Sequence, residues 1–345
     1  MKKTKIVVLV LFVVLMISMV LANSFGSAKI KLDDILYIIY NGVLDNESAL
    51  PEAYLPINDI IWLLRLPRII LAACIGCGLA VCGVVMQAIV KNPLADPYIL
   101  GISSGASLGA TAAILLGIGV ALGENFVGIA AFIGAFFVSL LVVFIANLGG
   151  RASSTKLILS GMALSAVCSA FASFIVYFAN NAEGMQNITY WLMGSLAGAK
   201  WELLEIIVPI SILSTLFFYT QSRILNLLLL GDETAITLGK DLHIYRQCYL
   251  LVSAIVVGFA VYAAGMIGFI GLIIPHAVRI LVGSDHKVLV PVSGLCGAIF
   301  LIWADVLCRI IIPRTELPIG ILISLIGAPC FVYLMIKKTY GFGGN

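Results

Sequence analysis

The chain carries too little charge to be a water-soluble globular protein. Only 11% of its 345 residues are Asp, Glu, Lys or Arg, whereas 62% are hydrophobic. A soluble domain has about 25% charged residues, which cover its water-facing surface. The net charge of +3 comes from basic residues scattered along the chain, so the basic face of a nucleic-acid-binding protein is excluded as well. We therefore predict that lipid surrounds most of this protein.

Two further absences limit the function. No stretch matches the G-x-x-x-x-G-K-[ST] phosphate loop, so any nucleotide chemistry must come from another chain. Among the eight cysteines, Cys74 and Cys77 have the spacing of half a zinc site, but no second Cys/His pair completes it. We predict no metal site, no catalytic residues and no cofactor.

Long apolar runs are what the sequence has instead. A membrane-spanning helix needs about 20 mostly apolar residues, which predicts an all-α integral membrane protein with a single domain, residues 1–345. About ten spans are predicted, near 5–23, 62–90, 98–118, 124–147, 155–180, 201–220, 246–265, 268–283, 288–311 and 319–336. The first run also resembles a secretory signal peptide, although an uncleaved helix is favoured. The eighth span is short, and an apolar piece at 188–197 is expected to form an outer half-helix.

The distribution of basic residues orients the spans. With the N-terminus inside, most Lys and Arg residues fall in the predicted inner segments, and every short inner loop carries at least one. An even number of spans returns the C-terminus to the same side, where Lys337 lies. Both termini are therefore predicted to be cytoplasmic.

The stretch from Gly101 to Gly105 matches the G-x-S-x-G pattern of a serine nucleophile elbow. The predicted spans place Ser103 about two turns inside a membrane helix whose start is capped by Asp96. Glycines at 101, 105 and 109 instead have the spacing that lets a second helix approach closely. We interpret the stretch as a packing seam and the intramembrane hydrolase as the weaker hypothesis.

The predicted inner loop 221–245 is apolar although it should lie outside the membrane. Asp232 is expected to be an N-cap, Glu233 to lie in the first turn and Gly239 to follow the helix end. A helix this short is unstable alone in water, so it needs a partner surface. Composition does not decide whether that surface belongs to another protein or to the bilayer.

Several longer motifs carry a family resemblance. In chain order they are Arg65-Leu-Pro-Arg68, Gln87 with Asn92-Pro-Leu-Ala-Asp-Pro97, Gly101-Ile-Ser, Gly231-Asp-Glu-Thr-Ala-Ile-Thr-Leu-Gly239, Gly268 to His276 with Arg279, Asp305 with Arg309, Glu316-Leu-Pro-Ile-Gly320 and Gly327-Ala-Pro329. From the second span onward the chain resembles ABC importer permeases of the FecCD type, which transport iron–siderophore chelates, haem and cobalamin.

The resemblance implies a type II ABC importer permease in the bacterial inner or plasma membrane. Such a permease works as a homodimer with two cytoplasmic ABC ATPase subunits and an outer substrate-binding protein, so ATP hydrolysis belongs to a separate chain. It implies ATPase-coupling roles for five residues of the inner loop: Asp232, Glu233, Ala235, Leu238 and Gly239. It also implies that three outer arginines, Arg65, Arg68 and Arg309, dock the binding protein.

Three questions stay open at the level of sequence. Asp305 and Arg309 are spaced to form an ion pair within a helix, but a carboxylate in a span is also typical of ion-coupled secondary transporters. Ser165, Ser169 and Ser173 form a small polar stripe that suits either helix packing or the lining of a pathway. The substrate is expected to be a ferric-siderophore-type chelate, with haem or cobalamin as the alternative within the family.

Overall fold

The computed structural model describes residues 2–26, 28–44, 51–123, 125–148, 150, 153–313 and 315–337, and all of its regular elements are helices. The α-helices are α1 (Lys2–Ala22), α2 (Leu32–Val43), α3 (Leu55–Asp59), α4 (Leu66–Val90), α5 (Ile102–Leu116), α6 (Phe126–Asn147), α7 (Ser154–Ala179), α8 (Ala182–Leu192), α9 (Trp201–Thr220), α10 (Ser222–Leu230), α11 (Asp232–Thr237), α12 (His243–Ala264), α13 (Ile270–Val282), α14 (His286–Ile310) and α15 (Ile319–Lys337). A π-helical stretch, Ile60–Arg65, joins α3 to α4.

Within the described residues, seven helical segments are long and apolar enough to cross a membrane. The all-helical membrane architecture predicted from the sequence is therefore confirmed. The other three predicted spans correspond to shorter apolar helices, namely α5, α13 and α15. The count of ten spans and the cytoplasmic position of both termini stay predictions.

Helix α4 is the centre of the bundle. Most of its residues are buried, and α9, α12, α13 and α14 all pack against it. Two neighbours approach its backbone closely: a Cβ atom added at Gly76 would overlap the carbonyl oxygen of Gly297 on α14, and one added at Gly83 would overlap that of Gly271 on α13. Because no hydrophobic effect draws helices together within lipid, close backbone packing of this kind is the main source of attraction between them. α4 and α14 therefore form one tightly packed pair.

The packing seam predicted between span three and a neighbour is confirmed. A Cβ atom at Gly105 or Gly109 would overlap the carbonyl oxygens of Gly134 or Ala130, both on α6. The depth predicted for Ser103 is wrong. Asp96 caps a 3-10 turn at Pro97–Leu100, after which Gly101 adopts a φ of 74° and restarts the chain as α5. Ser103 is thus the second residue of a new helix.

Two other boundaries differ from those predicted. The eighth predicted span corresponds to α13, which has only 13 residues and begins after Phe269, whose left-handed φ of 65° cannot belong to the helix. The outer half-helix expected at 188–197 is α8, which lies earlier and stops before Gly194 because that residue has a φ of 70°. In both places a positive φ, which hydropathy does not encode, sets the boundary.

Candidate functional site

The predicted coupling loop 221–245 contains two short helices, α10 and α11, at the predicted cytoplasmic end of the bundle. The prediction that Asp232 is the N-cap is wrong. Gly231 occupies the cap with a φ of 100°, and Asp232 is the first residue of α11. The Asp232 carboxylate instead accepts a 2.7 Å hydrogen bond from Arg246, whose side chain is only 4% exposed. A buried arginine is a stronger partner for a carboxylate than a free backbone N–H.

The helix end predicted at Gly239 is confirmed. Gly239 has a φ of 75°, its N–H donates to the Ile236 carbonyl, and the Lys240 N–H donates to the Ala235 carbonyl. These two bonds form a Schellman motif, which satisfies the last carbonyls of a helix and requires a left-handed residue at this position. The shape of this turn is therefore set by the chain itself.

The coupling residues implied by the resemblance differ in exposure. Glu233 is exposed and Leu238 is 60% exposed, and the neighbouring Ile236 is 56% exposed. Ala235 is fully buried within this chain, so its side chain cannot touch a partner directly. The ATPase-coupling role of these residues, Ala235 included, stays a prediction.

A second set of contacts in this loop escaped sequence reasoning. The Asn226 amide of α10 donates to Asp285 at 2.9 Å and accepts from the backbone N–H of His286 at 3.0 Å. His286 is completely buried at the start of α14. Asn226 and His286 lie 60 positions apart in the chain, and neither belongs to a motif that marks the contact.

The three arginines predicted to dock a binding protein meet at the opposite end of the bundle. Arg68 donates to Asp305 at 2.9 Å and to Glu316 at 2.8 Å, and Arg309 lies 3.1 Å from the second Asp305 oxygen. The Asp305 side chain is 1% exposed, and that of Glu316 is 50% exposed. The i, i+4 ion pair expected between Asp305 and Arg309 is present, and it is shared with Arg68.

The segment that follows α1 covers part of this cluster. Arg65 donates to the backbone carbonyls of Asn23 and Ala28, and Arg309 donates to that of Phe25 at 3.1 Å. Both arginines are therefore held by this chain's own groups. Docking of a partner at these arginines stays a prediction.

The serine stripe lies on the outside of the bundle. Ser165 is half-buried and Ser169 and Ser173 are exposed, whereas Gly161 and Cys168, which lie beside the stripe on the helix, are buried. Helix α7 packs mainly on α5 and α6, so most of its surface is free in a single chain. The arrangement fits a surface covered by another subunit or by lipid, and the pathway role of the serines stays a prediction.

Two cavities lie beside the unwound stretch between α12 and α13. One has a volume of about 520 Å³ and is lined by Met193, Met266 and Ser324 among others. The second, of about 360 Å³, shares Met266 and includes Ser103. Neither of these two cavities is lined by the serines of α7. The Ser103 hydroxyl lies 4.0 Å from the Met266 sulfur, which is not a base that could activate it as a nucleophile.

An inner contact joins two motifs that the sequence presented separately. Arg279 of α13 donates to the Gln87 side chain of α4 at 2.7 Å, and Gln87 is fully buried.

Within the part of the chain that the structure describes, no group of three His, Cys, Asp or Glu side chains is arranged to hold a metal ion.

Comparison with known proteins adds three kinds of similarity. The model of the FecCD transport family matches residues 12–337. The cobalamin import system permease BtuC of Halobacterium salinarum is 44% identical over 80% of this chain and 73% of its own length. The hemin transport system permease HmuU of Yersinia pestis is 41% identical over 81% of this chain and 85% of its own.

Solved structures show the same relationship. An inward-facing structure assigned to the metal-chelate type of ABC transporter superimposes with a TM-score of 0.80 at 32% identity, over 97% of this chain and 100% of the other. PsaBC from Streptococcus pneumoniae matches with a TM-score of 0.54 at 17% identity, over 82% of this chain and 98% of the other, which is a likeness of fold.

Proposed function

Because this chain belongs to the FecCD transport family, we propose that it is the permease subunit of a binding-protein-dependent ABC importer for metal chelates. The observation that carries the proposal is the exposed apolar surface of α11. Ile236 and Leu238 project from a helix that a buried arginine and a Schellman turn hold in place. A rigidly held apolar surface outside the membrane is expected to be covered by a partner protein.

In this proposal the partner at α11 is a cytoplasmic ABC ATPase subunit, and this chain hydrolyses no ATP itself. Glu233, Leu238 and Gly239 either contact the ATPase or set the shape of the surface that does. Asp232 and Ala235 hold α11 on the bundle. Replacing Ile236 by Asp is expected to abolish ATPase binding, because the charge would have to be desolvated in the interface. The matched control is Ile118→Asp at the opposite end, since both isoleucines are 56% exposed.

The outer partner is a substrate-binding protein that recognises the arginine end. Three arginines, Arg65, Arg68 and Arg309, face two carboxylates, Asp305 and Glu316, so this cluster by itself carries one excess positive charge for acidic residues of the partner. Half-exposed Glu316 is the group that a partner carboxylate would replace on Arg68. Arg65→Gln should weaken docking and flatten its salt dependence, because one charge is lost from the complementary surface. Unchanged affinity and salt dependence in a folded variant would remove Arg65 from the docking set.

We propose that two copies of this chain form the transporter, with α7 lining the space between them. The exposure of Ser169 and Ser173 along a helix whose surface is mostly uncovered in one chain supports this arrangement. A Ser169→Cys variant should form an oxidised dimer in the membrane. Leu213→Cys on α9, where the leucine is 65% exposed, is the control and should not.

The substrate class is a large metal chelate. A ferric siderophore was the expectation from sequence motifs, while the names of two relatives point to cobalamin and haemin. Uptake into proteoliposomes that contain this chain, its ATPase and its binding protein should require ATP and one of these three chelates. Persistence of uptake with an uncoupler separates this mechanism from ion-coupled secondary transport; loss of uptake at constant ATP would favour the latter.

A further inference from the structure

Asn226 joins the ATPase-facing segment to the start of α14 through both ends of its side-chain amide. Its Nδ2 donates to the Asp285 carboxylate at 2.9 Å, and its Oδ1 accepts from the His286 backbone N–H at 3.0 Å. The same Oδ1 lies 2.6 Å from the His286 Nδ1. The donation to Asp285 identifies the nitrogen end of the Asn226 amide, so the oxygen end faces the His286 ring. Because this oxygen can only accept, the Nδ1 atom of His286 must carry the proton of the hydrogen bond between them.

Buried residues surround the His286 side of this contact. His286 is fully buried, and Leu225 and Leu228 on either side of Asn226 are fully buried as well. Asp285 also caps α14 by accepting the Lys287 N–H at 3.1 Å. The position of α10 is therefore tied to the first turn of α14.

The two helices of the loop are tied to different parts of the bundle. α11 is held to α12 by the ion pair between Asp232 and Arg246, whereas α10 is held to α14 by Asn226. α14 then continues as one helix, with Pro291 in its interior, to Asp305, roughly 28 Å from His286 at the helical rise of about 1.5 Å per residue. Its close packing on α4 makes the two helices move together.

We propose that Asn226 is a positioning residue that couples the ATPase-facing segment to α14 and, through α14, to the arginine end. A displacement of α10 then shifts the first turn of α14, and the shift reaches Asp305 and Arg309 because α14 is one helix that packs closely on α4 at Gly297 and Gly76. The inference rests on the proposed importer function. It adds to that function a residue that need not touch either partner.

The test measures substrate carried per ATP hydrolysed in proteoliposomes of the complete importer. Asn226→Leu removes all three hydrogen bonds at similar volume and should lower that ratio by roughly tenfold, within the usual range of coupling between protein sites. Gln221→Leu is the matched control, since Gln221 is a neighbouring amide that binds Tyr249 of α12 instead. The substrate carried per ATP hydrolysed by this control should stay near that of the wild type.

A rescue experiment separates positioning from a loss of structure. Asn226→Asp alone places two carboxylates together and should uncouple transport. Adding Asp285→Asn should restore it, because Asn at 285 donates to Asp at 226 and still caps α14.

Each outcome decides the proposal. A folded, ATPase-binding Asn226→Leu protein with a wild-type ratio would overturn it, as would failure of the double variant to recover. If the wild-type complex itself shows no ATP-dependent uptake, the importer function fails rather than the coupling role of Asn226.

Discussion

Asp305 and Glu316 offer a direct comparison of a buried and an exposed ion pair on one arginine. Both carboxylates accept from Arg68 at nearly equal distances, 2.9 and 2.8 Å. Their side chains are 1% and 50% exposed. Replacing each carboxylate by its amide, Asp305→Asn and Glu316→Gln, removes one charge with little change of shape.

The expected costs differ because of burial. Breaking a buried pair destabilises a protein by about 3–5 kcal/mol, since the partner charge is left uncompensated. Asp305 also neutralises Arg309 at 3.1 Å, so its loss raises the net charge of the cluster of three arginines and two carboxylates from +1 to +2. We expect a cost near 3 kcal/mol for Asp305→Asn, whose amide oxygen still accepts one hydrogen bond. Glu316→Gln should cost only about 0.2–1 kcal/mol, as for exposed pairs.

The measurement is the free energy of unfolding in a mixed detergent titration followed by circular dichroism. The Arg68→Leu variant, alone and with Asp305→Asn, completes a double-mutant cycle that isolates the pair. Equal costs for the two amide variants, or a larger cost for Glu316→Gln, would refute the assignment of Asp305 as the buried centre of the cluster.

Three further predictions test local features. Gly76→Ala should lower the free energy of unfolding by about 1–3 kcal/mol, because the added methyl overlaps the Gly297 carbonyl; Gly268→Ala, which meets no neighbouring atom, is the control in the same titration. Gly239→Ala should cost about 1 kcal/mol because its φ is 75°, and ATPase affinity should fall while membrane insertion is retained; unchanged affinity would argue against the turn as part of the contact. The Asn226 amide holds the pKa of Asp285 below its usual value, so the stabilisation is present above the ordinary Asp pKa and is lost as pH falls through the lower, folded-state value. An unfolding series below about pH 5 should therefore show a smaller acid loss in Asn226→Leu than in the wild type.

The features predicted correctly from the sequence are those that depend on neighbouring residues. Apolar run length identifies the membrane helices, because spanning depends on continuous hydrophobic length. The helix end at Gly239 and the glycine seam of α5 follow from spacing within a few residues. Even there, the breaks at Gly101 and Phe269 shortened two predicted spans, because hydropathy carries no information on backbone dihedral angles.

The partners of the charged and polar side chains were decided only by the tertiary structure. Arg68 and Asp305 are 237 positions apart, and Asp232 turns from its predicted cap to Arg246, 14 positions away. In a low-dielectric interior a charged group must find an opposite charge or a hydrogen-bonding partner, and which one it finds depends on how helices pack. The sequence by itself thus determined that the chain is a helical membrane protein with an apolar loop at 221–245. The packing of α4 and α14 decided which arginines meet Asp305, and the packing of α10 on α14 decided that Asn226 reaches His286, because both pairings join residues that only the fold brings together.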